Sequence, residues 1–187
     1  MNEDIQKAIE VLKQGGVILY PTDTIWGIGC DATNQEAVEK LYTIKQRDKS
    51  KSMLILLDND AKLQGYVEDV PDIAWDLIDL ADKPLTIIFN GAKNLAPNLI
   101  NSDGTIGIRI TSEAFSQQLC MRFRKPIVST SANIAGHTPP QNFHDIDPEI
   151  IDAVDYVVQY RQEENYQQNP SSIIKLGSGG EIDIIRK

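Results

Sequence analysis

The chain has 187 residues, a formal net charge of −9, 41% hydrophobic and 24% charged residues, a composition that suits one globular domain spanning 1–187 and no disordered or fibrous class. No run approaches the roughly 18 apolar residues of a membrane-spanning helix. Two cysteines, Cys30 and Cys120, are too few for a disulfide framework, so reduced thiols in a cytoplasmic protein are expected.

The first ten residues, MNEDIQKAIE, lack the apolar core of a secretory signal. Residues 3–14 predict an amphipathic helix with Ile5, Ala8, Ile9, Val11 and Leu12 on one side, stopped by Gly15-Gly16. A buried strand follows over 17–20, ended by Pro21, and a second extended piece over 25–30. Asn34 is placed to cap a helix reaching Ile44. That helix ends at a basic cluster, Lys40, Lys45, Arg47, Lys49 and Lys51 against the single acid Asp48. Such a cluster on an acidic protein suits an anion, or is a solvated helix end favoured by the macrodipole. Next come a strand over 53–57, helical stretches around 60–66 and 71–80, a strand over 84–89 and a polar loop over 91–104.

The run IGIRI, 106–110, alternates with period two and puts Gly107 and Arg109 on the face opposite its isoleucines. A helix over 112–122 leads to a strand over 126–130 and a long irregular loop, SANIAGHTPPQN. A short helix over 147–152, a strand over 156–160 and a polar loop over 161–170 follow. The end reads as a hairpin, SSIIKL against EIDIIR. Helices alternate with strands early and strands crowd the end, which predicts a mixed, partly parallel α/β sheet.

Several site types are missing. His137 and His144 sit in no zinc spacing, and neither a GxSxG elbow nor a GxxxxGK[ST] phosphate loop occurs. Gly27-Ile28-Gly29-Cys30-Asp31-Ala32 matches a loose dinucleotide pattern, yet Pro21 ends the strand well before Gly27 and the expected acid position falls in the basic cluster. Polar constellations remain. Thr22, Asp23 and Thr24 at a strand end either satisfy backbone groups or bind a ligand. Arg109 on an apolar strand requires either a buried acid or an anionic ligand, with Thr105 on its face. Ser129-Thr130-Ser131-Ala132-Asn133, where a strand enters a loop, either holds phosphate or caps the turn.

Taken together, PTDT-WG (21–27), Lys45-x-Arg47, Lys83-Pro84-Leu85-Thr86, Arg109, Ser129 to Asn133 and Pro170-Ser171-Ser172 resemble, in order and spacing across essentially the whole chain, the threonylcarbamoyl-adenylate synthases of the YrdC-like fold. The resemblance implies a twisted mixed sheet with flanking helices and a concave basic cleft. It also implies an enzyme, a nucleotidyltransferase that makes threonylcarbamoyl-AMP and pyrophosphate from L-threonine, bicarbonate and ATP. Mg²⁺ would arrive on the phosphates, with no protein ligands. The product would pass to a transferase complex that modifies tRNA with threonylcarbamoyladenosine. Some members carry an extra C-terminal domain, and this chain resembles the short form.

By the same resemblance Lys45 and Arg47 are the catalytic pair on the triphosphate. Thr24, Arg109, Ser129, Ser171 and Ser172 hold threonine, with Arg109 on its carboxylate. Lys51, Thr105, Ser131, Asn133 and Arg186 join Lys45 and Arg47 on ATP. Three departures stand out: Lys51-Ser52 replaces a usual Lys-Pro, Pro170-Ser171-Ser172 replaces Pro-Ser-Thr, and Pro139 stands where a serine often contacts nucleotide, with Thr138 as its substitute. The alternative reading is a non-catalytic module of the same fold that binds tRNA or double-stranded RNA. The charge of −9 speaks against it, since such binding is driven by clustered cations. Carbamoyl transfer from carbamoyl phosphate is a third, weaker reading, because the zinc-finger and acylphosphatase-like segments that accompany it elsewhere are missing here.

Overall fold

The computed structural model describes residues 1–51, 53–165 and 170–187. Ser52, one of the departures above, and residues 166–169 of the expected 161–170 loop lie outside the described residues. Helix α1 (Asn2–Lys13) buries Ile5, Ala8 and Leu12 on one stripe. Gly15 then takes φ +77°, a left-handed conformation that a side chain would resist, and turns the chain into β1 (Ile18–Tyr20). Strand β2 (Gly27–Gly29) folds back antiparallel to it. The Asn34 side chain accepts from the backbone N–H of Glu36 and Ala37 and starts α2 (Gln35–Lys45), as its residue type predicts.

β3 (Leu54–Leu57), a 3₁₀ turn over Asp60–Gly65, α3 (Ile73–Asp79) and β4 (Leu85–Phe89) follow. Then come β5 (Ile106–Ile110), α4 (Ala114–Phe123) and β6 (Ile127–Ser131). A 3₁₀ turn over Phe143–Asp145, α5 (Pro148–Ala153), β7 (Tyr156–Val157), β8 (Ser172–Leu176) and β9 (Ile182–Arg186) complete the chain. The strand expected over 156–160 shrinks to two residues. Its neighbour β1 is short, and Gln159 N instead donates to the Asp4 carboxylate of α1 at 3.1 Å.

The sheet has the order β7-β1-β2-β6-β3-β5-β4-β8-β9. β1 with β7, β3 with β5 and β4 with β8 run parallel; the other neighbours are antiparallel. The mixed α/β sheet read from the sequence is the sheet observed.

Strand parity explains where the site lies. Val17, Leu19, Ile55, Leu57, Ile87, Phe89, Ile106, Ile108 and Val128 point to one face, where α2, α3 and α5 bury them in the larger core. On the other face α1 and α4 cover only one part, packing Ile5, Leu12, Phe115, Leu119 and Phe123 over Ile18, Tyr20, Leu56 and Ile127. Beyond α1 and α4 this face carries no helix among the described residues, and its side chains change character. Along β6, Ile127 under the helices gives way to Ser129 and Ser131; β5 offers Gly107 and Arg109 there, and β4 offers Thr86.

β2 lies close against β6. A Cβ on Gly29 would come 2.0 Å from the Val128 carbonyl oxygen and 3.0 Å from the Tyr20 ring. Gly29→Ala is therefore expected to destabilise the fold by about 3 kcal/mol through overpacking. Urea unfolding measures it, and an unchanged midpoint would contradict this packing.

Candidate active site

The helix-free part of the sheet face forms a cavity of about 300 Å³. Its walls come from the β1–β2 turn (Thr22, Thr24), β3, β4, β5, β6, β8, β9 and the end of α2, and three arginines, Arg47, Arg109 and Arg186, face into it. No acid is among its described lining residues. Gly27 and Gly107 lie among the lining strands, and a Cβ on Gly107 would press on Leu54 and Thr86 at 3.3–3.4 Å.

Each arginine is placed by a different device. Gln46 takes φ 49°, a left-handed cap that ends α2 and swings Arg47 out of the helix, where its Nε donates to the Lys51 carbonyl at 2.9 Å. Arg109 is 4% exposed, and its Nε lies 3.0 Å from Oδ1 of Asp23, itself 7% exposed. The two explanations left open for an inward arginine thus coexist: an acid on one side, an open cavity on the other. Burial pushes the Asp23 carboxyl above its usual range, and Arg109 pulls it back. Arg186 donates from Nε to the Ser171 carbonyl at 2.8 Å. Burial lowers its pKa, and the charge of Arg109 lowers it further. These guanidinium groups share one electrostatic field, which a bound anion would relieve.

Hydroxyls complete the wall. Thr22 Oγ1 donates to the Ile25 carbonyl at 2.8 Å and accepts from Thr24 N at 3.1 Å. Its single proton is thereby used, so in its 3.0 Å contact with Thr24 Oγ1 the Thr24 hydroxyl donates. Across the cavity Thr86 Oγ1 and Ser171 Oγ lie 2.8 Å apart.

Of the residues singled out in the sequence, Thr24, Arg47, Arg109, Ser129, Ser131, Ser171 and Arg186 come together on this cavity. Lys45 stands behind it. Its Nζ is buried and donates to the carbonyls of Ser131 at 2.6 Å and Asn133 at 2.9 Å. Asn133 turns its amide to the carbonyls of Ile134 and His137. Thr105 precedes β5 and is held in the 101–105 turn, donating to Asp103 at 2.6 Å and accepting from Asn101 at 2.9 Å. Ser172 alternates with Ser171 and Ile173, which line the cavity, and Lys51 contributes its carbonyl to Arg47. Thr22, Thr86 and Gly107 also line the cavity and Asp23 backs Arg109; the sequence left Thr22 and Asp23 open as ligand groups and gave none of the four a substrate role. For Thr86 and Gly107 the signal was a polar or small residue on the strand face opposite a run of large apolar ones.

Burial, with a smaller contribution from Arg47, lowers the Lys45 pKa to about 7. The folded state then binds fewer protons than the unfolded state between about pH 7 and the usual lysine range, so stability contributed here is lost as pH falls towards 7. Relative to Lys45→Met, the wild type should gain on the order of 1 kcal/mol per pH unit between about pH 7 and 8.5. Urea unfolding across that range reads the difference, and parallel pH profiles would contradict it.

The Sua5_yciO_yrdC family model, described as telomere recombination, matches residues 10–187. A threonylcarbamoyl-AMP synthase of Pseudoalteromonas translucida is 38% identical over 157 residues, 82% of this chain and 84% of that protein. The crystal structure of E. coli YciO superposes with a TM-score of 0.86 at 25% identity, covering all of this chain and 90% of the other. P. abyssi Sua5 complexed with L-threonine superposes at 0.82 and 20% identity, over 92% of this chain and 50% of that longer one; at that identity the likeness concerns the fold. With a match that spans all but its first residues, the chain belongs to the Sua5/YciO/YrdC family.

Proposed function

We propose that this chain is a threonylcarbamoyl-AMP synthase, an enzyme that condenses L-threonine, bicarbonate and ATP into threonylcarbamoyl-AMP and pyrophosphate. The observation that carries the reading is the convergence of Arg47, Arg109 and Arg186, far apart in sequence, on one hydroxyl-lined cavity. The name of its P. translucida relative and a Sua5 structure with L-threonine support it over the RNA-binding alternative.

The amine of threonine and bicarbonate give a carbamate and water; a carbamate oxygen attacks the α-phosphorus, and pyrophosphate leaves. Adenylyl transfer of this kind depends on position and charge neutralisation more than on a protein nucleophile. Arg109, steadied by Asp23, clamps the threonine carboxylate through a planar fork. Thr22, Thr24 and Ser129 surround the amine. Arg47 and Arg186 neutralise the phosphates, which become more negative as the anhydride breaks. Lys45 acts from behind by fixing the carbonyls of Ser131 and Asn133. Thr105, Ser172, Asn133 and Lys51 then serve the architecture around the site rather than the substrates. Mg²⁺ is expected on phosphate oxygens and water, because the described lining residues are arginines, hydroxyls and apolar groups. The adenylate goes on to a transferase that modifies tRNA, in the cytoplasm.

The test is pyrophosphate release by purified protein. It should require ATP, threonine and bicarbonate together. Release that continues without threonine would overturn the reading.

A further inference from the structure

Among the described residues, the non-glycines Gln46, Asn94, Arg124 and Arg161 take a left-handed backbone. Gln46 and Arg124 end α2 and α4, and asparagine tolerates the conformation. Arg161, at φ 70°, ends no helix. A bulky residue held there is strained and persists only where its surroundings impose it. Here they impose it from two sides. Gln159 N on Asp4 and the Tyr160 ring, 6.1 Å from that of Phe115, fasten the segment to α1 and α4. The Arg161 guanidinium then reaches Glu113 Oε1 at 3.2 Å, and Glu164. Glu113 caps α4, its other oxygen accepting from Ser116 N at 2.7 Å, and its side chain is 8% exposed.

Arg161 stands behind the active-site wall. With Glu164, Pro21, Thr22, Thr24 and Ile25 it lines a hollow of about 20 Å³, room for about one water. Thr22, Thr24 and Ile25 line the large cavity as well. The turn that carries them is therefore a thin wall, with substrate space in front and Arg161 behind. The bonds from Thr22 to Ile25 and Thr24 run within the turn, whereas Arg109 bears on it from the front through Asp23. We infer that Arg161 is a positioning residue for the amino-acid substrate: braced by Glu113 and Glu164, it supports the Thr22–Thr24 turn from behind and keeps Thr24 and Asp23 set for threonine. The inference rests on the reading of the cavity as a threonine site. A glycine would adopt φ 70° without strain, so the side chain is what arginine adds at this position.

Arg161→Gly relieves the backbone and removes the brace. It also leaves Glu113 buried without its guanidinium, a separate cost to stability, while Glu164, 36% exposed, stays solvated. Pyrophosphate release by Arg161→Gly, with and without Glu113→Gln, separates the two effects. In Arg161→Gly the KM for threonine should rise about tenfold, with kcat and the KM for ATP within about twofold of wild type. Arg161→Lys should recover part of the loss. Adding Glu113→Gln to Arg161→Gly should bring the thermal unfolding midpoint back towards wild type and leave the KM for threonine high. An unchanged KM for threonine in Arg161→Gly, a KM that returns with the midpoint, or KM values for threonine and ATP that rise together would overturn the role of Arg161 while the reading of the cavity stands. Wild-type release that ignores threonine would overturn both.

Discussion

Replacing Arg109 with alanine is expected to lower kcat/KM for threonine about a thousandfold, since a lost pair of charged hydrogen bonds is worth about 3–5 kcal/mol. The loss should fall on threonine far more than on ATP. Stability should also suffer, because the change leaves Asp23 buried without the guanidinium 3.0 Å away, and breaking a buried ion pair typically costs about 3–5 kcal/mol. The raised pKa of Asp23 limits that cost by letting the carboxyl take a proton. A double variant separates the two effects. Asp23→Asn with Arg109→Met removes both charges and should recover most of the stability while activity stays lost. If activity returned with stability, Arg109 would be a structural residue and not a carboxylate clamp.

Arg47→Ala is expected to produce the second-largest loss, about a hundredfold to a thousandfold in kcat/KM for ATP, the cost of about 3–4 kcal/mol of charge stabilisation at the phosphates. Arg47 leaves α2 just past its left-handed cap and is only partly enclosed, so the fold should tolerate the change. Arg47→Lys tests the geometry, because an ammonium retains the charge and loses the two-point fork. Partial recovery in Arg47→Lys is the expected result. An unchanged KM for ATP and unchanged kcat in Arg47→Ala would remove Arg47 from the reaction.

Much of this was legible from residue types. Asn34 announced the start of α2, and the alternation in IGIRI put Arg109 and Gly107 on one face before any contact was known. The resemblance put the basic end of α2 and Ser131 on one nucleotide, and in the fold Arg47 and Ser131 line the same cavity. What one dimension could not supply was the frame of each short element. Ser171 and Ser172 are equivalent as text, and the start of β8 decides which of them faces the cavity. Thr105 shares parity with Arg109 but sits outside the strand, where Asp103 and Asn101 hold it in a turn. The resemblance assigned Lys45, with Arg47, to the triphosphate. In the fold its chain runs towards β6, and two carbonyls take its Nζ. Nor does the sequence say that α1 and α4 cover only one part of a sheet face. That partial cover turns a row of small polar residues into a cavity, and it depends on where two helices distant in sequence meet.

Mass spectrometry of a reaction holding ATP, threonine and isotopically labelled bicarbonate tests most directly whether the arginine-lined hollow joins three small substrates. Threonylcarbamoyl-AMP carrying the label should accumulate with wild-type protein and vanish with Arg109→Ala. Adenylate without the label, or labelled adenylate undiminished in that variant, would contradict it.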